Sequence, residues 1–147
     1  MTTRIARIDV ELDRPLDELF EQLANFADYP RWNPFVVKVD GAARAEVGAR
    51  VRFDVRWPQG GGASSAELVT KVERTDASAV LVWRYLGVLP TLNLVRAERV
   101  QRLTKLGESR TRYQSEEVFH GLLTRFLPLA QVQAGFEAQA RAMAVAR

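Results

Sequence analysis

The side chains able to do acid–base or binding chemistry gather in the last third of the chain. Within Glu98-Arg99-Val100-Gln101-Arg102-Leu103, alternation puts Arg99, Gln101 and Leu103 on one face of an extended segment. In the next such segment Thr111, Tyr113, Ser115, Glu117 and Phe119 share a face. Antiparallel pairing of the two brings Arg99 close to Glu117. If Leu103 points inward, so does Arg99, and a guanidinium buried alone costs on the order of several kcal/mol. A carboxylate can accept its paired hydrogen bonds. An Arg99–Glu117 pair is therefore expected, with Gln101 and Tyr113 nearby. Such a pair either anchors the sheet or orients a ligand carbonyl or carboxylate. Burial alone raises a carboxyl pKa and makes it a proton donor, whereas a tight Arg99 pair pushes the other way. The pair thus argues against Glu117 as a general acid.

Other chemistries are excluded or unsupported. The chain has one histidine, His120, and no cysteine. A His-rich metal site, a two-histidine catalytic group and thiolate chemistry are therefore impossible. By alternation His120 lies opposite Phe119 and should point outward, where it cannot activate a distant serine. Gly60-Gly61-Gly62 lacks the Lys-Ser/Thr ending and the helix of a phosphate-binding loop. No metal-ligand cluster is evident, and no cofactor is expected.

These side chains need a frame. Ala6, Ile8, Val10 and Leu12 alternate with Arg7, Asp9 and Glu11, which predicts a strand over about 4–12. Leu16, Leu19, Phe20 and Leu23 recur at helical spacing after Pro15, with Asp17 and Glu18 in the first turn, predicting a helix over about 15–25. A short turn or helix ends near Trp32, and Asn33 is expected to cap or brace a turn. Further strands are read at 35–39, 50–57, 66–74, 80–86, 92–103 and 111–119, separated by turn residues such as Asp40-Gly41 and Gly107-Glu108. In the 50–57 strand Val51, Phe53, Val55 and Trp57 make an apolar, bulky face. Residues 122–146 are rich in helix formers, with Phe126, Leu129, Phe136 and Ala140 along one side; Pro128 should start or kink this helix. Thr91 and Asn93 are candidates for polar contacts at a pocket mouth. Consecutive strands with short turns favour an antiparallel meander, leaving one long helix to cover its concave face.

The 147 residues are one domain's worth of sequence, 47% hydrophobic and 27% charged. The longest uncharged runs fall well short of the ~18 apolar residues of a spanning helix. The charged N-terminal residues lack a signal-peptide apolar region, so a cytoplasmic location is expected. The net charge of +3 comes from arginines scattered singly, which gives weak support to a nucleic-acid surface.

Taken together, the chain resembles the SRPBCC superfamily of START-like helix-grip proteins, and within it the polyketide cyclase/dehydrase-like group. The likeness rests on Pro15-Leu16-Asp17-Glu18-Leu19-Phe20, on Tyr29-Pro30-Arg31-Trp32-Asn33-Pro34-Phe35, on Gly48, on Leu81-Val82-Trp83 and on Glu117-Val118-Phe119-His120-Gly121. It covers residues 1–147 as one domain. The resemblance implies an α+β helix-grip fold: a curved antiparallel sheet of about seven strands wrapped around a long C-terminal helix, enclosing a mostly apolar cavity. Relatives often carry His where Arg99 stands and Phe where Gln101 stands, so this chain departs from them at both positions. The departure at Arg99 weakens any imidazole acid–base role there.

The implied ligand wall is Phe53, Val55, Trp57, Trp83, Tyr85, Gln101, Phe119 and Phe136. Arg99, Tyr113 and Glu117 are the candidate catalytic groups. The leading expectation is binding of a small hydrophobic, oxygenated molecule. The alternatives are a polyketide aromatase/cyclase or dehydratase using the same cavity, and a partner-binding module without ligand. Expected partners are a small hydrophobic molecule or polyketide, with no nucleic acid, no membrane span, no metal and a monomeric or homodimeric state.

Overall fold

A computed structural model describes residues 3–145. Its seven strands are β1 (Thr3–Leu12), β2 (Val36–Gly41), β3 (Arg50–Arg56), β4 (Gly62–Arg74), β5 (Ser78–Leu86), β6 (Arg96–Gly107) and β7 (Arg110–His120). Four α-helices accompany them: α1 (Leu16–Ala24), α2 (Tyr29–Trp32), α3 (Val88–Thr91) and α4 (Leu129–Met143). All strand pairs are antiparallel, in the order β1-β7-β6-β5-β4-β3-β2. This is the helix-grip α+β fold, with α4 lying along one face of the sheet.

Alternation in sequence becomes alternation in burial. In β1, Ala6, Ile8 and Leu12 are buried while Arg7, Asp9 and Glu11 are exposed. In α1, Leu16, Leu19, Phe20 and Leu23 form the buried stripe expected of an amphipathic helix. Beneath α1 and α2 lies an aromatic cluster. Phe26 meets Tyr29, Phe53 and Trp83 edge-on at 5.5, 5.3 and 5.4 Å between ring centroids, the arrangement that ring quadrupoles favour.

Strand β1 is a sheet edge, and α4 covers it. The Gln133 side chain accepts from the Arg7 backbone N–H at 2.8 Å and donates to the Arg7 carbonyl at 2.6 Å, standing in for a neighbouring strand. The buried Arg14 donates to the Met143 carbonyl at 2.9 Å, placing a cation at the C-terminal end of α4.

Three expectations change. The sixth strand starts at Arg96 rather than Leu92, because residues 88–91 coil into α3 and Asn93 takes a left-handed φ of 59°. Pro90 lacks the N–H that a strand there would need. The last helix starts at Leu129, not Leu122. Pro128 cannot donate to a preceding helical turn, so Thr124–Phe126 form a separate 3-10 turn. Phe126 is consequently 69% exposed instead of lying on the helix's buried side. The helix ends at Met143, and residue 146 lies outside the described residues. Third, β4 begins at Gly62, four residues earlier than the alternation suggests.

Gly135 explains how closely α4 approaches Phe35, just ahead of β2. A Cβ there would lie 2.2 Å from the Phe35 ring. Gly135→Ala is expected to lower stability by about 1–3 kcal/mol through overpacking, despite the ~1 kcal/mol that alanine gains in helix propensity. Chemical denaturation of the variant checks this; an unchanged or higher midpoint would show that Phe35 swings aside freely.

Candidate functional site

A cavity of about 330 Å³ lies between the sheet and α4. Strand β3 and the residue after it supply Phe53, Val55 and Trp57; β5 supplies Trp83 and Tyr85. Phe119 comes from β7 and Phe136 from α4. Phe35 bridges two of these walls, with its ring 5.8 Å from Trp57 and 5.8 Å from Phe136. The result is an aromatic chamber suited to a flat apolar body.

Among the described residues, one basic and two acidic side chains reach this chamber: Arg99, Glu117 and Glu67. Arg99 stands opposite Glu117 in the β6–β7 register and opposite Trp83 in the β5–β6 register. Among the described residues no salt bridge joins Arg99 to Glu117, however. The guanidinium instead stacks on Phe136, 4.0 Å from the ring centroid, and Nε donates to Ser115 Oγ at 3.0 Å. Its Nη2 is buried without a partner. The expected bidentate pair is thus replaced by a looser arrangement, because the α4 ring holds the guanidinium flat and offers a cation–π contact in its place.

That change alters the Glu117 carboxyl. Glu117 lines the cavity, and burial pushes its pKa up to about 7, with the Arg99 charge opposing. Glu67 is 4% exposed and is pushed well above the ordinary carboxyl range, first by burial, then by the Glu117 charge, with Arg99 opposing. The cavity therefore holds carboxyl groups able to carry protons near neutrality, beside a permanent cation.

Tyr113 and Gln101 stand elsewhere. Both are fully buried beneath the chamber and do not line it. The Tyr113 hydroxyl donates to Gln101 Oε1, and Gln139 Nε2 donates to the Tyr113 oxygen at 3.4 Å. Asn33 Nδ2 donates to Gln139 Oε1 at 3.2 Å, while Asn33 Oδ1 accepts from the Phe35 and Val36 amides at 2.9 and 3.0 Å. Asn33 therefore braces its turn as expected and also ties it to α4. Burial raises the Tyr113 pKa, keeping the phenol neutral. This network fixes α4 against β6 and β7.

His120 faces away from the chamber and pairs with Thr3 Oγ1 at 3.1 Å through Nδ1. Together with Thr91 and Asn93 it borders an open basin on the opposite side of the sheet, so neither of those two residues reaches the cavity mouth.

The family described as polyketide cyclase / dehydrase and lipid transport matches residues 4–145. The chain belongs to that family. Among solved structures, the polyketide cyclase/dehydrase fold found here is shared with the Zhui aromatase/cyclase from Streptomyces sp. R1128, at TM-score 0.76 and 18% identity over 97% of this chain and 92% of that one. A START superfamily protein from Mycobacterium smegmatis aligns at TM-score 0.71 and 20% identity, covering 95% of this chain and 94% of its own. Ginseng major latex-like protein 151 from Panax ginseng aligns at TM-score 0.77 and 12% identity, covering 97% and 95%. No curated protein sequence matches the chain. Among the described residues no helix is long and apolar enough to cross a membrane, and no cluster of acidic, histidine or cysteine side chains is placed to hold a metal.

In this polyketide cyclase/dehydrase family member, sequence reasoning missed Glu67. Val69 and Val72 both pack toward the core, an odd spacing explained by the register shift between Val69 and Lys71. Alternation counted back from Val72 sets Glu67 outward; the irregularity at Thr70 reverses the phase and turns it in. The shared face of Glu67 and Val69 was the available signal.

Proposed function

We propose that this family member binds a small hydrophobic, oxygenated molecule in the cavity between the sheet and α4. Membership of the family supports a hydrophobic-ligand or cyclase role. The observation that carries the finer reading is the chamber itself: aromatic walls from β3, β5 and α4, with a few polar groups set into them. The flat body of a ligand packs on Trp57, Trp83 and Phe136, and its oxygen atoms meet the polar wall.

The experiment is a calorimetric titration with 2-acetonaphthone, a compact aromatic ketone. Saturable one-to-one binding is expected for the natural chain. Val55→Trp fills the chamber with an indole and is expected to weaken binding about tenfold or more, with a folded protein by circular dichroism. Undiminished binding in that variant would move the site elsewhere.

A further inference from the structure

Four large apolar side chains stand in water at one end of the molecule. Val88, Leu92, Leu122 and Phe126 are each 61–72% exposed. They come from two segments far apart in sequence: α3 with the residue that ends it, and the stretch between β7 and α4. The fold joins these segments. The Leu123 amide donates to the Leu94 carbonyl at 2.9 Å, and a Cβ on Gly121 would lie 2.3 Å from that same oxygen. Neither the core nor the cavity wall uses the four side chains. Their chain neighbours Leu89 and Leu127 do line the cavity, so the patch adjoins it. Exposed apolar side chains gathered in this way mark a surface that meets something other than water.

Charge on these segments has one sign. Residues 78–97 and 118–136 include no Asp or Glu, but they include Arg84, Arg96 and Arg125. Among the described residues none of the three joins a carboxylate in an ion pair, whereas Arg7, Arg110 and Arg112 on β1 and β7 all do. Arg84 and Arg96 border the outer basin together with Pro90 and Thr91 of α3. Glu98, opposite Arg84 in the β5–β6 register, lines the same basin and offsets part of their charge. Arg125 lies over the Phe126 ring, 4.9 Å from its centroid. Apolar side chains and guanidinium groups are thus interleaved, with a positive excess.

We propose that this end of the molecule docks on an anionic lipid bilayer. The four apolar side chains enter the boundary between headgroups and hydrocarbon, and the arginines meet lipid phosphates. A bilayer surface offers both halves of what the patch presents. A second copy of this chain does not, because two-fold pairing of the patch sets like-charged arginines against one another. A soluble polyanion would satisfy the arginines and leave the four apolar side chains in water. The inference goes beyond the cavity reading and does not depend on it, since none of the four side chains lines the cavity.

The test is co-sedimentation with vesicles of phosphatidylcholine alone and of phosphatidylcholine mixed equally with phosphatidylglycerol. The natural chain is expected to bind the mixed vesicles about tenfold tighter than the neutral ones, with a loss at high salt. The Leu122→Ser/Phe126→Ser double variant is expected to bind the mixed vesicles about tenfold more weakly, and Arg96→Ser severalfold more weakly. Leu106→Ser, at an exposed apolar position near the other end of β6, is expected to bind as the natural chain does. No binding to the mixed vesicles by the natural chain would overturn the inference whatever the variants do. Undiminished binding by the double variant would also overturn it, leaving charge alone as the cause. Titration with 2-acetonaphthone in vesicle-free buffer reads the cavity separately, and the double variant is expected to keep that binding. Vesicle binding absent with ketone binding intact counts against docking alone; the reverse counts against the cavity reading alone.

Discussion

Trp83→Ala is expected to remove about 3–5 kcal/mol of stability. Trp83 is 2% exposed and stands mid-sheet, opposite Val69 on one side and Arg99 on the other. Its indole packs edge-on against Phe26 at 5.4 Å and tilts against Phe53 at 5.8 Å. It also lies 6.0 Å from the Arg99 guanidinium. Truncation loses the transfer energy of a large apolar side chain and leaves a void, because β5 is held by neighbours on both sides and cannot collapse into it. The aromatic contacts add about 0.5–1.5 kcal/mol each beyond area burial. Domains of this size carry roughly 5–15 kcal/mol in total, so the variant should fold with a much lower urea midpoint and an unchanged slope. It should also bind the ketone probe far more weakly, having lost one wall of the chamber. A loss below about 1 kcal/mol would mean that the aromatic cluster closes over the gap and that Trp83 does not hold the chamber open.

Glu117→Gln is expected to stabilise the protein in alkaline solution and to leave it nearly unchanged in acid. The Glu117 carboxyl is pushed up to about 7 from an ordinary value of 4.5. The folded protein therefore holds this proton over a pH range in which the unfolded chain has released it. Stability is full below the unfolded value, falls as pH rises from about 4.5 toward 7, and stays low above that. The difference corresponds to at most about 3 kcal/mol, reduced by whatever water the cavity admits. Glutamine keeps the shape and removes the titration. Glu67 is raised for the same reason and acts in the same direction, so it adds to the wild-type decline. Urea titrations of both proteins at about pH 5 and about pH 8 check the sign. A wild-type chain that gains stability across that interval would show that Arg99 holds the carboxylate ionised after all.

The cavity and its polar end meet in one picture. Aromatic side chains from β3, β5 and α4 surround the carboxyls, and burial among them is what perturbs their pKa. Arg99 survives there because Phe136 and Ser115 share the work that a single carboxylate was expected to do. The same arrangement leaves one of its nitrogens, Nη2, buried without a hydrogen-bond partner.

Much of this was legible in the residues. The two-residue rhythm of β1 and β3, the 3.6-residue rhythm of α1 and the helix-forming tail specify their elements locally, since each depends on which side chains recur on one face. The inward face of β7, running from Thr111 through Tyr113, Ser115 and Glu117 to Phe119, follows from that rhythm alone, as does the Arg99–Glu117 register opposition. Other features depend on contacts between distant segments. Whether Arg99 meets a carboxylate or a ring is decided by where α4 lays Phe136. Whether Tyr113 touches the cavity or sits beneath it is decided by Gln139 and Gln101, which close over its hydroxyl. Glu67 turned inward because a one-residue irregularity in β4 reversed a phase that alternation carries unchanged. Periodicity determines a side chain's face; three-dimensional packing determines its partner, and here the partner sets protonation and chemistry.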